Sequence, residues 1–173
     1  MKNIKKIINR NSQLGELKRE KVTGTPDEIV KRTMSKMREL AIRDSTHPMI
    51  VNIAKEIKDS CNGCVIESAY DIVVKLIKYV SDPVNEEYVR APIHALNEGQ
   101  GDCDDMSTAL ASILLAKKIP VCYKAIAWRR YEFTHVYCLA YAKKMQKWIV
   151  CDPVIKKFGK EKTGIKRELI LKV

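Results

Sequence analysis

The amino-acid sequence predicts an α+β fold, with helices over its first two thirds and one antiparallel sheet after them. Two observations carry this. As far as Pro120 the apolar residues recur at three- and four-residue steps, the period of a helix face. Beyond Pro120 they fall into short runs broken by turn residues, the pattern of consecutive strands. Size and composition agree: 173 residues at 46% apolar and 31% charged suit one globular domain of ordinary size.

Thr25-Pro26-Asp27-Glu28 joins a hydroxyl cap, a proline for the first turn and two acids, so a helix starts there and runs over 26–43. Val30, Met34, Met37 and Ala41 form its buried stripe. Thr46 ahead of Pro48 starts a second helix, turning Ile50, Ala54 and Ile57 inward. Residues 59–64, DSCNGC, turn around Gly63, and a third helix over 66–80 buries Ala69, Ile72, Val73, Leu76 and Val80 before Pro83 ends it. The stretch 81–101 has little periodicity, and a connection of that length inside a compact domain tends to carry function. Asp102 opens a fourth helix with Met106, Leu110, Ile113 and Leu114 on one face. Strands follow at 121–128, 133–142 and 147–152, and 169–173 offers an edge strand.

The net charge of +11 is concentrated at the ends. Residues 1–21 hold seven Lys/Arg against two acids and 156–173 again seven against two, which leaves +1 for 22–155. This divides the chain into a basic N-terminal tail (1–21), a folded domain (22–155) and a basic C-terminal tail (156–173). The tails read as solvated ends, or as the place where a polyanion would bind. No apolar run approaches the roughly 18 residues of a membrane span. The start, MKNIKKIINR, has no apolar signal core, so the expected location is the cytoplasm rather than the secretory route. The six cysteines then read as thiols.

Gly101-Asp102-Cys103 puts a cysteine where a loop turns into a helix, and unpaired N–H groups there favour a thiolate. Asp104 and Asp105 oppose it, so a nearby imidazolium is wanted as counter-ion. His135, in Phe133-Thr134-His135-Val136-Tyr137, and Asp152, in Trp148-Ile149-Val150-Cys151-Asp152-Pro153, are the candidates. If the hairpin loop is 143–146, then Ala142 faces Lys147, Cys138 faces Cys151 and Tyr137 faces Asp152. His135 then shares a face with Asp152 and lies diagonal to it, within side-chain reach. A register shift of one residue would split the pair across the sheet. Cysteine, histidine and acid in that order follow the logic of a Cys-His-Asp triad.

Gly101-Asp102-Cys103-Asp104-Asp105, His135-Val136 and Trp148 to Pro153 resemble the three core motifs of the transglutaminase-like superfamily. The resemblance covers residues 65–155, and Tyr79, Asp82-Pro83 and Pro92 are similar to bacterial and phage versions. It implies a papain-like fold, a central nucleophile-bearing helix packed on an antiparallel sheet, with Cys103 as nucleophile, His135 as general base and then acid, and Asp152 as orienter. The implied activity is acyl transfer on amide bonds of a protein or peptide, with hydrolysis favoured over cross-linking and no cofactor or metal. A phage member would be virion-associated. The family also contains inactive relatives, so a non-catalytic structural or interaction module, for instance in phage assembly, is the alternative.

Other residues complete the candidate site. The Cys103 N–H is one oxyanion donor, and Asn97 or Gln100 is a second, although Gln100 lies only three residues before the cysteine. His94 is a candidate cleft residue, and His47, ahead of Pro48, a surface or capping one. Cys61-Asn62-Gly63-Cys64 lacks the second pair of a zinc site and the βαβ context of a redox motif, so it reads as a plain loop pair of thiols. Cys122, Cys138 and Cys151 read as small buried hydrophobes. Trp128-Arg129-Arg130-Tyr131 reads as an ordinary exposed turn or as a rim of the cleft that takes an acidic or aromatic substrate group.

Overall fold

The computed structural model describes residues 1–10, 24–58, 62–82 and 88–173. The order of elements is α1 (Lys2–Arg10), α2 (Pro26–Asp44), α3 (Pro48–Glu56), α4 (Asn62–Leu76), β1 (Lys78–Tyr79), α5 (Pro92–Glu98), β2 (Gln100–Gly101), α6 (Cys103–Ala116), β3 (Val121–Ala127), β4 (His135–Ala142), β5 (Lys147–Cys151) and β6 (Arg167–Lys172). The α+β order holds. Among the described residues no helix is long and apolar enough to cross a membrane.

Helix α6 is the centre of the molecule. It packs on α2, α3, α4, α5 and β4, and every residue from Asp104 to Leu114 is buried. A helix enclosed on all sides must satisfy its own polar groups, and the hydroxyls of this one do, while among the described residues Asp104 Oδ2 has no hydrogen-bond partner. Thr108 Oγ1 donates to Asp104 O at 2.6 Å and Ser112 Oγ to Ala109 O at 2.8 Å. Ser107 Oγ reaches the Val136 carbonyl at 3.3 Å, and Cys138 Sγ donates to the Ser107 carbonyl at 3.0 Å. Those last two contacts clip α6 to β4 and fix where Cys103 stands relative to His135.

The sheet is antiparallel in the order β5-β4-β3-β6. The β4–β5 register pairs Ala142 with Lys147 and Cys138 with Cys151, as the sequence predicts. The hairpin is closed by a short 3-10 turn over Lys143–Met145, with Gln146 in the left-handed region at φ 50°. Strand β6 is the expected edge strand and starts two residues earlier, alongside β3.

Three features differ from the sequence reading. The first lies in 78–101: the third helix of the sequence reading ends at Leu76 and leaves Val80 exposed, Lys78–Tyr79 and Gln100–Gly101 form a two-stranded parallel ladder, and Pro92–Glu98 is a seven-residue helix. The second is the N-terminal end: residues 2–10 are helical and not a solvated tail. Ile4 and Ile8, one turn apart, are 4% and 6% exposed in the common core, and Asn3 Nδ2 donates to Glu56 Oε2 at 3.1 Å. Residues 11–23 lie outside the described residues. The third is the C-terminal end, which is laid against the sheet. The Gly159 N–H bonds to Val150 O at 3.0 Å and the Lys166 N–H to Ala127 O at 2.8 Å. In addition, Cys64 is disulfide-bonded and so not the free thiol expected; spacing alone does not set oxidation state. Cys61 lies outside the described residues.

The docking of α1 has a measurable consequence. Ile8→Ala should lower the unfolding free energy by about 2 kcal/mol, the lower end for emptying a buried isoleucine site. Urea unfolding followed by circular dichroism measures it, and a solvated tail would show no change.

Candidate active site

Cys103 is the first residue of α6 and is half-buried. The turn that delivers it is built by carboxylates. Asp102 caps the helix, accepting from the Asp104 and Asp105 N–H groups at 3.2 and 3.3 Å, while Asp105 reaches back to the Asp102 N–H at 3.3 Å. This reciprocal box satisfies N–H groups that a helix start leaves unpaired. Glycine is required at position 101 because Asp105 folds under the turn: a Cβ there would meet Asp105 Cβ at 2.6 Å.

Asp105 is fully buried and held by Arg90. The Arg90 N–H donates to Asp105 Oδ1 at 2.6 Å, and its guanidinium Nη1 pairs closely with Oδ2. The same guanidinium lies 3.6 Å from Asp82 and 3.8 Å from Glu98. One arginine thus binds 88–91, Asp82 and α5 to the first turn of α6. Burial and then the Asp102 charge push Asp105 up to about 7, against the pull of Arg90. Asp104 is raised well above the carboxylate range by complete burial, then by its hydrogen bond to Asp102 and the neighbouring charges. The helix start therefore carries less negative charge than its three aspartates suggest.

His135 begins β4, and its Nε2 stands 2.6 Å from Asp152 Oδ2, with both side chains buried. Asp152 Oδ1 accepts from the Val154 N–H at 3.0 Å, which fixes the carboxylate plane. Trp128 stacks on the imidazole at 6.1 Å and 22°, and Tyr137 tilts against it at 5.7 Å. Trp128 is itself anchored by its Nε1 donating to Thr163 O at 3.1 Å.

Cys103 and His135 line one cavity of about 530 Å³. One wall is α2, through Pro26, Ile29, Val30, Thr33 and Met34; the other is Glu132 to Val136, with Tyr79, Ser81 and Asp82 at the side. Asp152 lies behind His135 and does not line it. Of the other residues singled out in the sequence, Asn97 and Gln100 are exposed, His94 is half-buried, and none of the three lines the cavity. Trp128 touches the imidazole in place of the cavity rim. His47 caps α3, accepting from the Met49 N–H at 3.2 Å. The α2 wall was not foreseen: Val30 and Met34 belong to its predicted apolar stripe, but periodicity does not say which part of a stripe faces a cleft.

Asp102, Cys103 and Asp104 bring one ligand atom each within 4.8 Å of one another. The helix cap accounts for this grouping, since Asp102 is committed to two backbone N–H groups. Of the other thiols, burial raises Cys122 and Cys138 above the ordinary range and pushes Cys151 up to about 12.

This arrangement of helices and sheet recurs in solved structures. A candidate protease of Parabacteroides distasonis superposes with a TM-score of 0.61 at 12% identity, over 82% of this chain and 29% of that one. The fold is papain/transglutaminase-like. A candidate cysteine protease of Cytophaga hutchinsonii (TM-score 0.43, 16% identity, 80% and 46% of the two chains) and calcium-bound LapG of Legionella pneumophila (0.49, 18%, 77% and 80%) are more distant matches. The chain spans less than a third of the Parabacteroides protein. No family model and no curated protein matches the sequence.

The carboxylate cluster gives stability a definite pH dependence. A carboxyl whose folded pKa is raised binds its proton more tightly folded than unfolded, so its contribution is full below about pH 4 and is lost as pH rises through the folded value. Asp104→Asn mimics the protonated acid. Urea midpoints between pH 5 and pH 8 should fall in the wild type and fall less in this variant.

Proposed function

We propose that the protein is a cysteine-dependent hydrolase of peptide or amide bonds, with Cys103, His135 and Asp152 as its catalytic triad. The observation that carries this reading is the buried 2.6 Å His135–Asp152 contact beside a cysteine that starts a helix in the same cleft. Because Nε2 faces Asp152, the other ring nitrogen, Nδ1, is left for the thiol. Asp152 fixes that tautomer and stabilises the imidazolium.

In the reaction, His135 takes the Cys103 proton and the sulfur adds to the substrate carbonyl. The developing oxyanion lies near the N-terminus of α6, whose dipole favours negative charge. His135 gives the proton to the leaving amine as the C–N bond breaks, and a thioester remains. Water, deprotonated by His135, adds to the thioester; the S–C bond breaks, the carboxylic acid leaves and the thiol is restored. The pairing of Asp105 with Arg90 and the raised pKa of Asp104 support this reading, because they remove most of the repulsion a thiolate at Cys103 would meet. Hydrolysis is chosen over transfer to an amine because a structural neighbour that superposes with a TM-score of 0.61 is described as a candidate protease.

Brief, limiting iodoacetamide at pH 6–7 should alkylate Cys103 ahead of Cys122, Cys138 and Cys151, as peptide mapping would show. Labelling elsewhere with Cys103 untouched contradicts the nucleophile assignment. Asp152→Asn should keep the fold and cut turnover of a fluorogenic protein such as labelled casein by about 10⁴-fold, because the amide favours the wrong imidazole tautomer. Near-normal turnover would reduce Asp152 to a strand-end residue.

A further inference from the structure

The basic C-terminal segment and the turn Trp128 to Tyr131, distant in sequence, form one surface. Trp128 bonds to Thr163 O, Lys162 Nζ lies 4.9 Å over the Trp128 ring, and Arg167 Nη1 donates to Arg130 O at 3.2 Å. The acids of this region other than Glu132 are already ion-paired. Lys124 Nζ holds Glu161 at 2.9 Å and Glu168 at 2.6 Å, Tyr137 OH also donates to Glu161, and Arg167 pairs with both oxygens of Asp27 at 3.0 and 2.8 Å. Arg129, Arg130, Lys160, Lys162 and Lys166 are all exposed, and among the described residues none is paired with a carboxylate. Among the described residues, five cations without a carboxylate partner thus stand against Glu132, which has no cation partner, and the one negative charge that Lys124 leaves uncancelled on Glu161 and Glu168.

This surface runs directly into the cleft, because Glu132, Phe133 and Thr134 follow Tyr131 and form the cavity wall. The cavity has the opposite character. Among the described residues its lining includes Asp82, Asp102 and Glu132 and no Lys or Arg. An acidic stretch of substrate is therefore disfavoured inside the cleft and favoured just outside it.

We propose that Arg129, Arg130, Lys160, Lys162 and Lys166 form an exosite that binds an acidic segment of the polypeptide whose neutral part occupies the cleft. This deepens the hydrolase reading and rests on it. A peptide suits the surface better than single-stranded nucleic acid, which needs aromatic platforms for its bases. The Trp128 ring is taken by His135 and Lys162, leaving Tyr131, 76% exposed, as the free aromatic.

The test uses the full chain and an epoxysuccinyl thiol reagent flanked on both sides by four glutamates, with the glutamine-flanked reagent as control. At about 20 mM salt the acidic reagent should label Cys103 about tenfold faster than the control, and the advantage should vanish at about 0.5 M salt, where screening acts within a few ångströms. Arg129→Glu/Arg130→Glu should abolish the advantage and leave the iodoacetamide rate unchanged. Lys160→Glu/Lys166→Glu, on the other segment, should do the same and guards against misfolding of the first variant. Equal rates for the two reagents, or an advantage that survives both reversals, would overturn the exosite. A separate arm reads binding without chemistry: fluorescein-labelled octaglutamate on Cys103→Ala, followed by anisotropy. Salt-sensitive binding lost in both reversal variants supports the exosite even if iodoacetamide fails to modify Cys103, a result that would sink only the hydrolase reading. No binding of octaglutamate, or tighter binding of an eight-nucleotide DNA strand through the same residues, overturns it.

Discussion

The Asp105–Arg90 ion pair is the contact on which the site's construction depends. Taking a carboxylate to full burial costs several kcal/mol unless a counter-charge and hydrogen bonds meet it. Here it is met by a guanidinium, by the Arg90 main-chain N–H and by the Asp102 N–H. The donors come from two parts of the chain, Arg90 and Asp102, so satisfying one buried acid also places the segment 88–91 and the turn that delivers Cys103. Gly101 belongs to the same construction, since the acid occupies the space its side chain would need. Removing Arg90 alone would take away the buried acid's counter-charge and two of its donors and drive its pKa further up, which is why the arrangement is difficult to alter piecemeal.

The second constraint is how closely α6 approaches β4. Ser107, Ala111, Cys138 and Ala140 are small and fully buried, which lets backbone and side-chain hydrogen bonds span the interface. Cys103 starts that helix and His135 starts that strand, so the interface sets their relative position without either residue contributing to it. A cysteine suits position 138 in particular, as a small apolar side chain whose S–H can reach the Ser107 carbonyl.

What the sequence made legible follows from how few alternatives each element had. Strand side chains alternate with a period of two, so a hairpin register carries a single parity, and placing the loop at 143–146 was enough to bring His135 and Asp152 to one face. The start of α2 was legible because Thr25, Pro26 and Glu28 each act locally; Thr25 and Glu28 form the reciprocal capping box. The elements between 78 and 101 were not. Two-residue strands have no periodicity, and the residue ahead of α5, Ala91, offers no side-chain cap. Helix α1 has Ile4 and Ile8 one turn apart, but with four basic residues and no acid in its first turn nothing local announces a helix, and only the core explains it. Glu161 and Glu168 looked like ordinary charges of a basic tail. Their partner is Lys124 inside β3, and a lysine in a strand does not reveal which distant acids will cover it.

That pairing also explains how a strongly basic chain has, among the described residues, no Lys or Arg in the lining of its cleft. Lys124 would be an unpaired charge within the sheet if the C-terminal segment did not bring two carboxylates to it, and buried charges require partners. The segment that supplies them is itself rich in lysine. Spending its acids on Lys124, and Asp27 on Arg167, leaves the remaining cations of the segment facing solvent beside the lip. Folding the tail onto the sheet therefore does two things at once: it covers Lys124 and Tyr137 next to the His135–Asp152 pair, and it sorts positive charge to the outside of the cleft. The separation between a carboxylate-lined interior and a basic rim is thus a consequence of how one buried lysine is neutralised.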